Sequence, residues 1–376
     1  MKIVYNGLFL TRPNTGMGQY TAHLFEELPK ALPKAEHIAI APGRVATAPP
    51  GLAVEVLKPA RYGVGEGLAL DRWESHDLPQ RAVDLGADLL LTPYPTPPPD
   101  VDIPVVMTVH DMIPWQIPAY RRSLRSRLKL RRIFEGIRQA EQILTVSKFA
   151  RDSIVNLAAV DPKQISVVYD GVGDQYRHRP SPAAVAKVRR KLKLQRPYVL
   201  YLGGYDYRKN VRRLIEAFAQ SGLGATHDLA LAGAVTAPPG SLYDDYRQLP
   251  ELLKTAGIAA QTKRLGFIDE ADKPALLAGA VAFVFPSVAE GFGIPILEAL
   301  GLGVPVAAGK IPSTRELFPG AVTLFDPADP SDLAAVLKRT VNSTSKARTA
   351  KGKALAKRYT WSAAAKRAAA VLRDQA

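Results

Sequence analysis

Residues 283–306 read FVFPSVAEGFGIPILEALGLGVPV. An apolar run ends at Pro286, a short loop with two glycines follows, and an apolar stretch resumes behind Pro295. Proline is tolerated in the first helical turn because its missing N–H would have no intrahelical partner. The stretch therefore reads strand, loop, helix, and VPVAA (304–308) reads as the next strand. Continuous apolar strands alternating with helices mean a parallel sheet covered on both faces. Glu290 falls in the loop and Glu298 one to two turns into the helix, eight positions apart, so that both can flank a ligand lying over the helix start. The backbone N–H groups there and the positive end of the helix form a seat for an anion. Taken singly, each glutamate reads as readily as a solvated residue, and each glycine as a turn former.

The same alternation extends in both directions. KIVYN (2–6), EVL (55–57), ADLLL (87–91), PVVMTVH (104–110), QILTV (142–146) and ISVVY (165–169) read as strands, with helical patterns at 18–30, 121–140 and 148–158. A second series follows: YVLYLGG (198–204), DLALAG (228–233), QTKRLGF (261–267), VAFVFP (281–286), VPVAA (304–308) and AVTLF (321–325). Two such series predict two doubly wound, Rossmann-like α/β domains, which bind ligands at the carboxyl ends of their strands. The Gly- and Pro-rich stretch at 171–197 marks the break between them. The domains are placed at 1–175 and 176–355, with a C-terminal helix at 356–376 expected to pack back on the first.

The 376 residues suit two domains. The absence of cysteine rules out disulfides, thiolate nucleophiles and cysteine-ligated zinc. No apolar run is long enough to cross a bilayer. The first residues are too short and polar a stretch for a signal peptide, so a cytoplasmic protein is expected. The net charge of +15 is uneven: residues 101–200 carry 19 basic against 8 acidic side chains, whereas the first hundred are slightly acidic. Two basic patches on a balanced surface argue against a uniformly basic nucleic-acid binder.

Three further stretches carry chemistry. In YVLYLGGYDYRKNVRRLIEAF (198–218), Arg208 and Lys209 stand at a strand's carboxyl end and open a helix. Cations at a helix N-terminus oppose its dipole, a conflict that an anionic ligand such as a diphosphate removes. NTGMGQY (14–20) places Gly16 and Gly18 between a strand and a helix, a turn that is as readily structural as functional. TVHDMIPW (108–115) ends a buried strand with His110 and Asp111, and that histidine could equally be a core residue. Asp100-Val101-Asp102 stands without supporting carboxylates and reads as coincidence.

The string EGFGIPILEAL, an E-x7-E pattern, resembles the retaining glycosyltransferases of the GT-B fold, family 4, and the other stretches fall in that family's order along nearly the whole chain. The resemblance implies two Rossmann-like domains facing each other across a cleft. It implies that Glu290 contacts hydroxyls of a donor sugar and Glu298 a nucleotide ribose. The backbone of Gly291, Phe292, Gly293 and Ile294 then lies near sugar and diphosphate. Arg208 and Lys209 meet the leaving diphosphate, although Gly204 and Tyr207 depart from the family's usual residues, so Lys209 alone transfers without qualification. His110 lies beside the sugar, Asp111 on the acceptor side, and Gly16 and Gly18 in the loop between donor phosphates and acceptor. RLGFI (264–268) resembles the loop near the nucleobase, with Phe267 and Ile268 as base contacts. No metal or cofactor is implied. The donor expected is a GDP- or UDP-linked mannose or glucose, and the acceptor a glycan or a polyprenyl-diphosphate-linked sugar.

The basic helix read at 121–138 has an apolar stripe of Leu130, Ile133, Phe134 and Ile137 bordered by cations. It suits a solvated helix docked on a sheet, or a surface for anionic lipid heads at the inner face of a membrane. The rival reading of the whole chain is a nucleic-acid binder using this helix and the basic tail. It predicts affinity that falls steeply with salt and leaves Glu290 and Glu298 unexplained.

Overall fold

The computed structural model describes the chain except residues 61–65, 234–243, 344 and 376. The chain divides into two compact units, Met1–Gly171 with Trp361–Ala376, and Val172–Thr360.

Among the described residues the first unit holds seven parallel strands: β1 (Lys2–Asn6), β2 (Glu36–Ala41), β3 (Ala53–Val56), β4 (Leu89–Thr92), β5 (Val105–Thr108), β6 (Gln142–Thr145) and β7 (Ile165–Val167), in the order β3-β2-β1-β4-β5-β6-β7. The order reverses between β1 and β4, the switch point at which such sheets leave a crevice. Strand β2 is an addition to the sequence reading. Its first residues, Glu36 and His37, look polar, yet His37 is buried with both ring nitrogens partnered. Nε2 lies 3.0 Å from the Leu32 carbonyl and must carry the proton, which leaves Nδ1 to accept from the Tyr5 hydroxyl at 2.6 Å.

The second unit holds β8 (Tyr198–Leu202), β9 (Asp228–Ala232), β10 (Thr262–Gly266), β11 (Ala282–Phe285), β12 (Val306–Gly309) and β13 (Thr323–Phe325), all parallel in the order β10-β9-β8-β11-β12-β13. Its strands are near-continuous apolar runs because helices cover both faces. On one face Leu214 and Phe218 of the helix Val211–Ser221 pack with Leu333 and Leu337 of the helix Pro330–Val341 over Val199, Leu229 and Val284.

The last helix, Trp361–Arg373, packs on Gly16–Ala31 within the first unit. Trp361 stacks on His23, with ring centroids 5.2 Å apart, and meets Tyr20 edge-on at 5.7 Å. The basic helix begins at Leu124, capped by Ser123, rather than at 121, because Pro118–Arg121 forms a separate 3-10 turn. Ile137 and Gly136 of that helix are buried, and a Cβ on Gly136 would stand 2.0 Å from the Thr96 carbonyl oxygen, so the helix lies directly on the 96–98 backbone. Among the described residues no helix is long and apolar enough to cross a membrane.

Candidate active site

In the second sheet the strand order reverses between β8 and β11, and Arg208, Lys209 and Glu290 lie in the loops that follow these two strands. The loops that follow the two strands are joined by their own hydrogen bonds. The Val288 N–H donates to the Arg208 carbonyl at 2.8 Å, and the Asn210 side-chain amide donates to the carbonyls of Pro286 and Pro327 at 3.0 and 2.8 Å. Asn210 adopts φ +58°, a left-handed conformation that asparagine accepts more readily than most residues. Its place between the cations and the first apolar residue of a helix was the only signal for this role in the sequence.

This joining sets Arg208 and Lys209 on Glu290. The Arg208 guanidinium pairs with one carboxylate oxygen and the Lys209 ammonium donates to the other at 2.6 Å, while the Glu290 side chain is 9% exposed. Burial by itself raises the Glu290 carboxyl, but the charges of Arg208 and Lys209 outweigh it and hold the group down to about 2. Lys209 is lowered by burial and by its cationic neighbour, against the pull of Glu290. Asp206 accepts the Arg208 N–H at 3.0 Å and lies 3.8 Å from its Nε. The anion that resolves the helix-start conflict is thus in part the protein's own: two cations stand against two carboxylates. A guanidinium offers five donors and an ammonium three, more than the pairing with Glu290 uses.

Glu298 sits in a different environment. It lies within the helix Ile294–Gly301, 8% exposed, near Tyr176 and the Lys273–Glu270 ion pair. Burial pushes its carboxyl up to about 7, with Lys273 pulling it down and Glu270 raising it. Two glutamates eight positions apart are thereby held in opposite states, one ionised throughout and one poised near neutrality. In the unfolded chain Glu298 returns to about 4.5. The folded protein therefore keeps a proton that the unfolded chain loses, and the stability this confers is full below about pH 4.5 and lost as pH rises through about 7. Glu298→Gln removes that loss: denaturant unfolding at pH 5 and pH 8 should show the variant gaining on the wild type at the higher pH. Parallel shifts in the two proteins would refute the assignment.

Among the remaining residues named from the E-x7-E stretch, Gly293 is the N-cap at φ +113° and needs glycine for that reason. Phe292 turns its ring into the core against Phe318 and Tyr359, so only its backbone is available to a ligand. Gly291 is buried beside it and Ile294 is half-buried. At the end of β10, Phe267 is 45% exposed while Ile268 is 4% exposed; the pair divides into one presented ring and one core side chain.

In the first unit, His110 follows β5 and is half-buried. Its Nε2 lies 2.9 Å from the Pro93 carbonyl and must donate to it, and Tyr20 meets the ring edge-on at 4.4 Å. Burial lowers its pKa, opposed by the Pro93 hydrogen bond and Asp111. A neutral ring thus keeps its Nδ1 lone pair. The Asp111 carboxylate accepts the Ile113 N–H at 3.0 Å, which gives it a local structural task. Gly18 accommodates the chain itself, since a Cβ there would lie 2.1 Å from the Arg12 carbonyl oxygen, whereas Gly16 faces open space. The Thr15 hydroxyl caps this helix by accepting the Gly18 N–H at 3.0 Å.

The sequence reading missed a buried chain at the switch point of the first sheet. Asn6, at the end of β1, donates from its amide to the Tyr94 hydroxyl at 2.9 Å, and Tyr94 donates to Glu74, whose carboxyl burial pushes up to about 7. No motif announces it, because its members come from three separate stretches. Asp100 of the D-x-D sequence lies 3.4 Å from His76, and among the described residues no three His, Asp or Glu side chains are grouped to hold a metal ion.

Comparison with known proteins extends this picture. Residues 185–374, just over half the chain, match the family described as glycosyl transferases group 1, and residues 14–176 match Glycosyltransferase Family 4. The O-antigen chain mannosyltransferase B of Escherichia coli is 32% identical over 68% of this chain and 66% of its own length. The MMP alpha-(1->4)-mannosyltransferase of Mycolicibacterium hassiacum is 28% identical over 64% of this chain and 57% of its own. The chain spans less than two thirds of the length of these curated relatives. Among solved structures, the sucrose-phosphate synthase of Thermosynechococcus elongatus has a TM-score of 0.79 at 18% identity, over 100% of this chain and 98% of that one. The Anabaena protein Alr3699/HepE in complex with UDP has a TM-score of 0.73 at 21% identity, over 100% of both chains. At these identities the structures speak for the fold, which is GT-B. With that fold and with the match over 185–374, the chain belongs to the glycosyl transferases group 1 family, its first unit matching Glycosyltransferase Family 4.

Proposed function

We propose that the protein is a retaining, metal-independent hexosyltransferase that moves mannose or glucose from a GDP- or UDP-sugar to a glycan or a polyprenyl-diphosphate-linked acceptor. The observation that carries this reading is the convergence of Arg208, Lys209 and Glu290 at the switch point of the second sheet. Departure of a nucleoside diphosphate builds negative charge on the leaving oxygen and positive charge on the sugar. Preorganised donors aimed at the leaving group lower that barrier, and Arg208 and Lys209 supply them with the start of the helix Ile294–Gly301. Glu290, ionised and held by two cations, accepts hydroxyls of the sugar, and Glu298 the ribose. His110, neutral with an open Nδ1, is assigned to the sugar as well, and Asp111 to the acceptor side. Retention follows from attack on the face the diphosphate leaves, the departing phosphate taking the acceptor's proton.

A thermal-shift panel of UDP, GDP, ADP, CMP and their common sugar conjugates, with and without Mg²⁺, tests the donor. A ligand at 100 times its dissociation constant stabilises the folded state by about 2.7 kcal/mol. One nucleotide should dominate irrespective of metal. A flat panel with stabilisation by DNA or RNA would overturn the reading.

The relatives named as O-antigen mannosyltransferases support a glycan acceptor. The helix Leu124–Gln139 favours a peripheral site on the cytoplasmic face of a membrane, because Leu124 and Leu128 are 72% and 55% exposed amid basic side chains. Apolar side chains beside cations suit an anionic interface. Sedimentation with vesicles containing phosphatidylglycerol should exceed that with neutral vesicles and fall in Leu124→Ser/Leu128→Ser; equal sedimentation would remove the membrane from this account.

A further inference from the structure

Beside the helix Leu124–Gln139 lies a cleft of about 520 Å³ with an unusual lining. Trp115, Leu130 and Phe134 make its floor, the two rings 5.8 Å apart, and Arg121, Arg127 and Arg131 stand around it. Among the described residues none of these three arginines pairs with a carboxylate. The cations on the other flank of the same helix behave differently: Lys129 pairs with Asp71 at 3.0 Å and Arg132 donates to the Ser75 hydroxyl at 3.4 Å. One arginine of the cleft is also held in place and another has a buried donor without a match. Arg127 donates from Nε to the Arg121 carbonyl at 2.9 Å, and the Arg121 Nε–H is buried with no hydrogen-bond partner among the described residues. A buried guanidinium donor left unmatched is costly, and three like charges repel each other. A bound anion removes both penalties.

We infer that this cleft is a binding site for a phosphate ester whose organic part is a hydrocarbon chain, the phosphoryl group held by Arg121, Arg127 and Arg131 and the chain lying on Trp115, Leu130 and Phe134. Arginine's planar fork matches phosphate oxygens two at a time. Inorganic phosphate alone has no use for the aromatic floor, and an apolar ligand none for the arginines. A hydrocarbon chain is preferred to a nucleobase because the neighbouring strip of the helix continues with two exposed leucines, Leu124 and Leu128. The cleft lies wholly in the first unit; the inference rests on the lipid-linked acceptor and membrane-face reading of this helix and names the residues that would hold the phosphoryl group and the chain, while being independent of which nucleotide the second unit binds.

The test uses the full chain and octyl phosphate, a chain short enough to stay monomeric in solution. Trp115 is the reporter, since Trp73 and Trp361 are buried. Titration should change the tryptophan emission, and Trp115→Phe should abolish the change. Inorganic phosphate and octyl glucoside, which carry the charge or the chain alone, should each bind at least about tenfold more weakly. Arg127→Gln and Arg131→Gln should each weaken octyl phosphate about tenfold, with circular dichroism melting unchanged to show that the variants fold. Equal binding of octyl glucoside, AMP binding as tightly as octyl phosphate, or wild-type affinity in the double arginine variant would each overturn the proposal. Vesicles separate the two sources of such a group. Loss of phosphatidylglycerol-vesicle capture in the double arginine variant identifies a lipid head, while retained vesicle capture with lost octyl phosphate binding identifies the phosphate of a dissolved ligand.

Discussion

Arg208→Ala is expected to lower kcat for sugar transfer by about 10²–10³, the usual cost of removing one preorganised donor from developing negative charge, with KM for the donor changed far less. The pairing with Glu290 makes this substitution informative. When the guanidinium goes, Lys209 still neutralises Glu290 at 2.6 Å, so the carboxylate keeps a partner and the fold survives. Glu290→Ala is the harsher change, because it takes the paired carboxylate from both Arg208 and Lys209 in a mostly buried crevice and leaves Asp206 as the neighbouring anion; breaking such a pair from one side costs about 3–5 kcal/mol. Arg208→Lys keeps the charge but loses the fork, and should recover only part of the rate. Steady-state kinetics of the three variants with matched melting curves decide the matter. Activity of Arg208→Ala within tenfold of the wild type would remove the residue from the leaving-group site.

Gly233→Ala is expected to cost the second unit about 3 kcal/mol or more, through overpacking against backbone together with a strained backbone conformation. Gly233 directly follows β9 with φ +127°, and a Cβ there would stand 1.9 Å from the carbonyl oxygen of Gly203. Neither atom can yield easily. The Gly203 N–H donates to Ala232 at 3.1 Å, and the Gly233 N–H donates to Gly266 at 2.7 Å, so the carboxyl ends of β8, β9 and β10 are tied together at this point. Gly266→Ala is the matched control: φ is +66° there but the added Cβ meets open space. It should cost only the left-handed penalty of about 1–2 kcal/mol. Denaturant unfolding of both variants gives the comparison, and equal losses would show that the contact with Gly203 relaxes without cost.

Much of the candidate site in the second unit was legible in the sequence because its residues are consecutive. A strand, a glycine loop and a proline-started helix around Glu290 and Glu298 state their own geometry, and strand–glycine–cation does the same for Arg208 and Lys209. What the chain does not spell out is which of these loops touch. The pairing of Glu290 with Arg208 and Lys209 spans some eighty residues and exists because β8 and β11 are neighbours in the sheet. The opposite states of the two glutamates depend on those neighbours and on burial. Ile268 likewise looked like a ligand contact, and packing turned its side chain into the core.

On the first unit less was readable. The buried Asn6–Tyr94–Glu74 chain joins residues from three stretches, none with a motif of its own. Strand β2 hid behind a histidine whose two nitrogens are satisfied only once Tyr5 and Leu32 are beside it. In the basic helix the apolar stripe was visible, but the outward Leu124 and Leu128 and the arginine-lined cleft were not. The sequence by itself determined the order of strands and helices, the parallel two-unit architecture and the residue types at the strand ends, because these follow from local periodicity and turn chemistry. The tertiary structure alone decided which charges are neighbours, which are buried and which remain without a carboxylate, because Coulomb attraction and desolvation depend on distance and solvent exposure rather than on position along the chain.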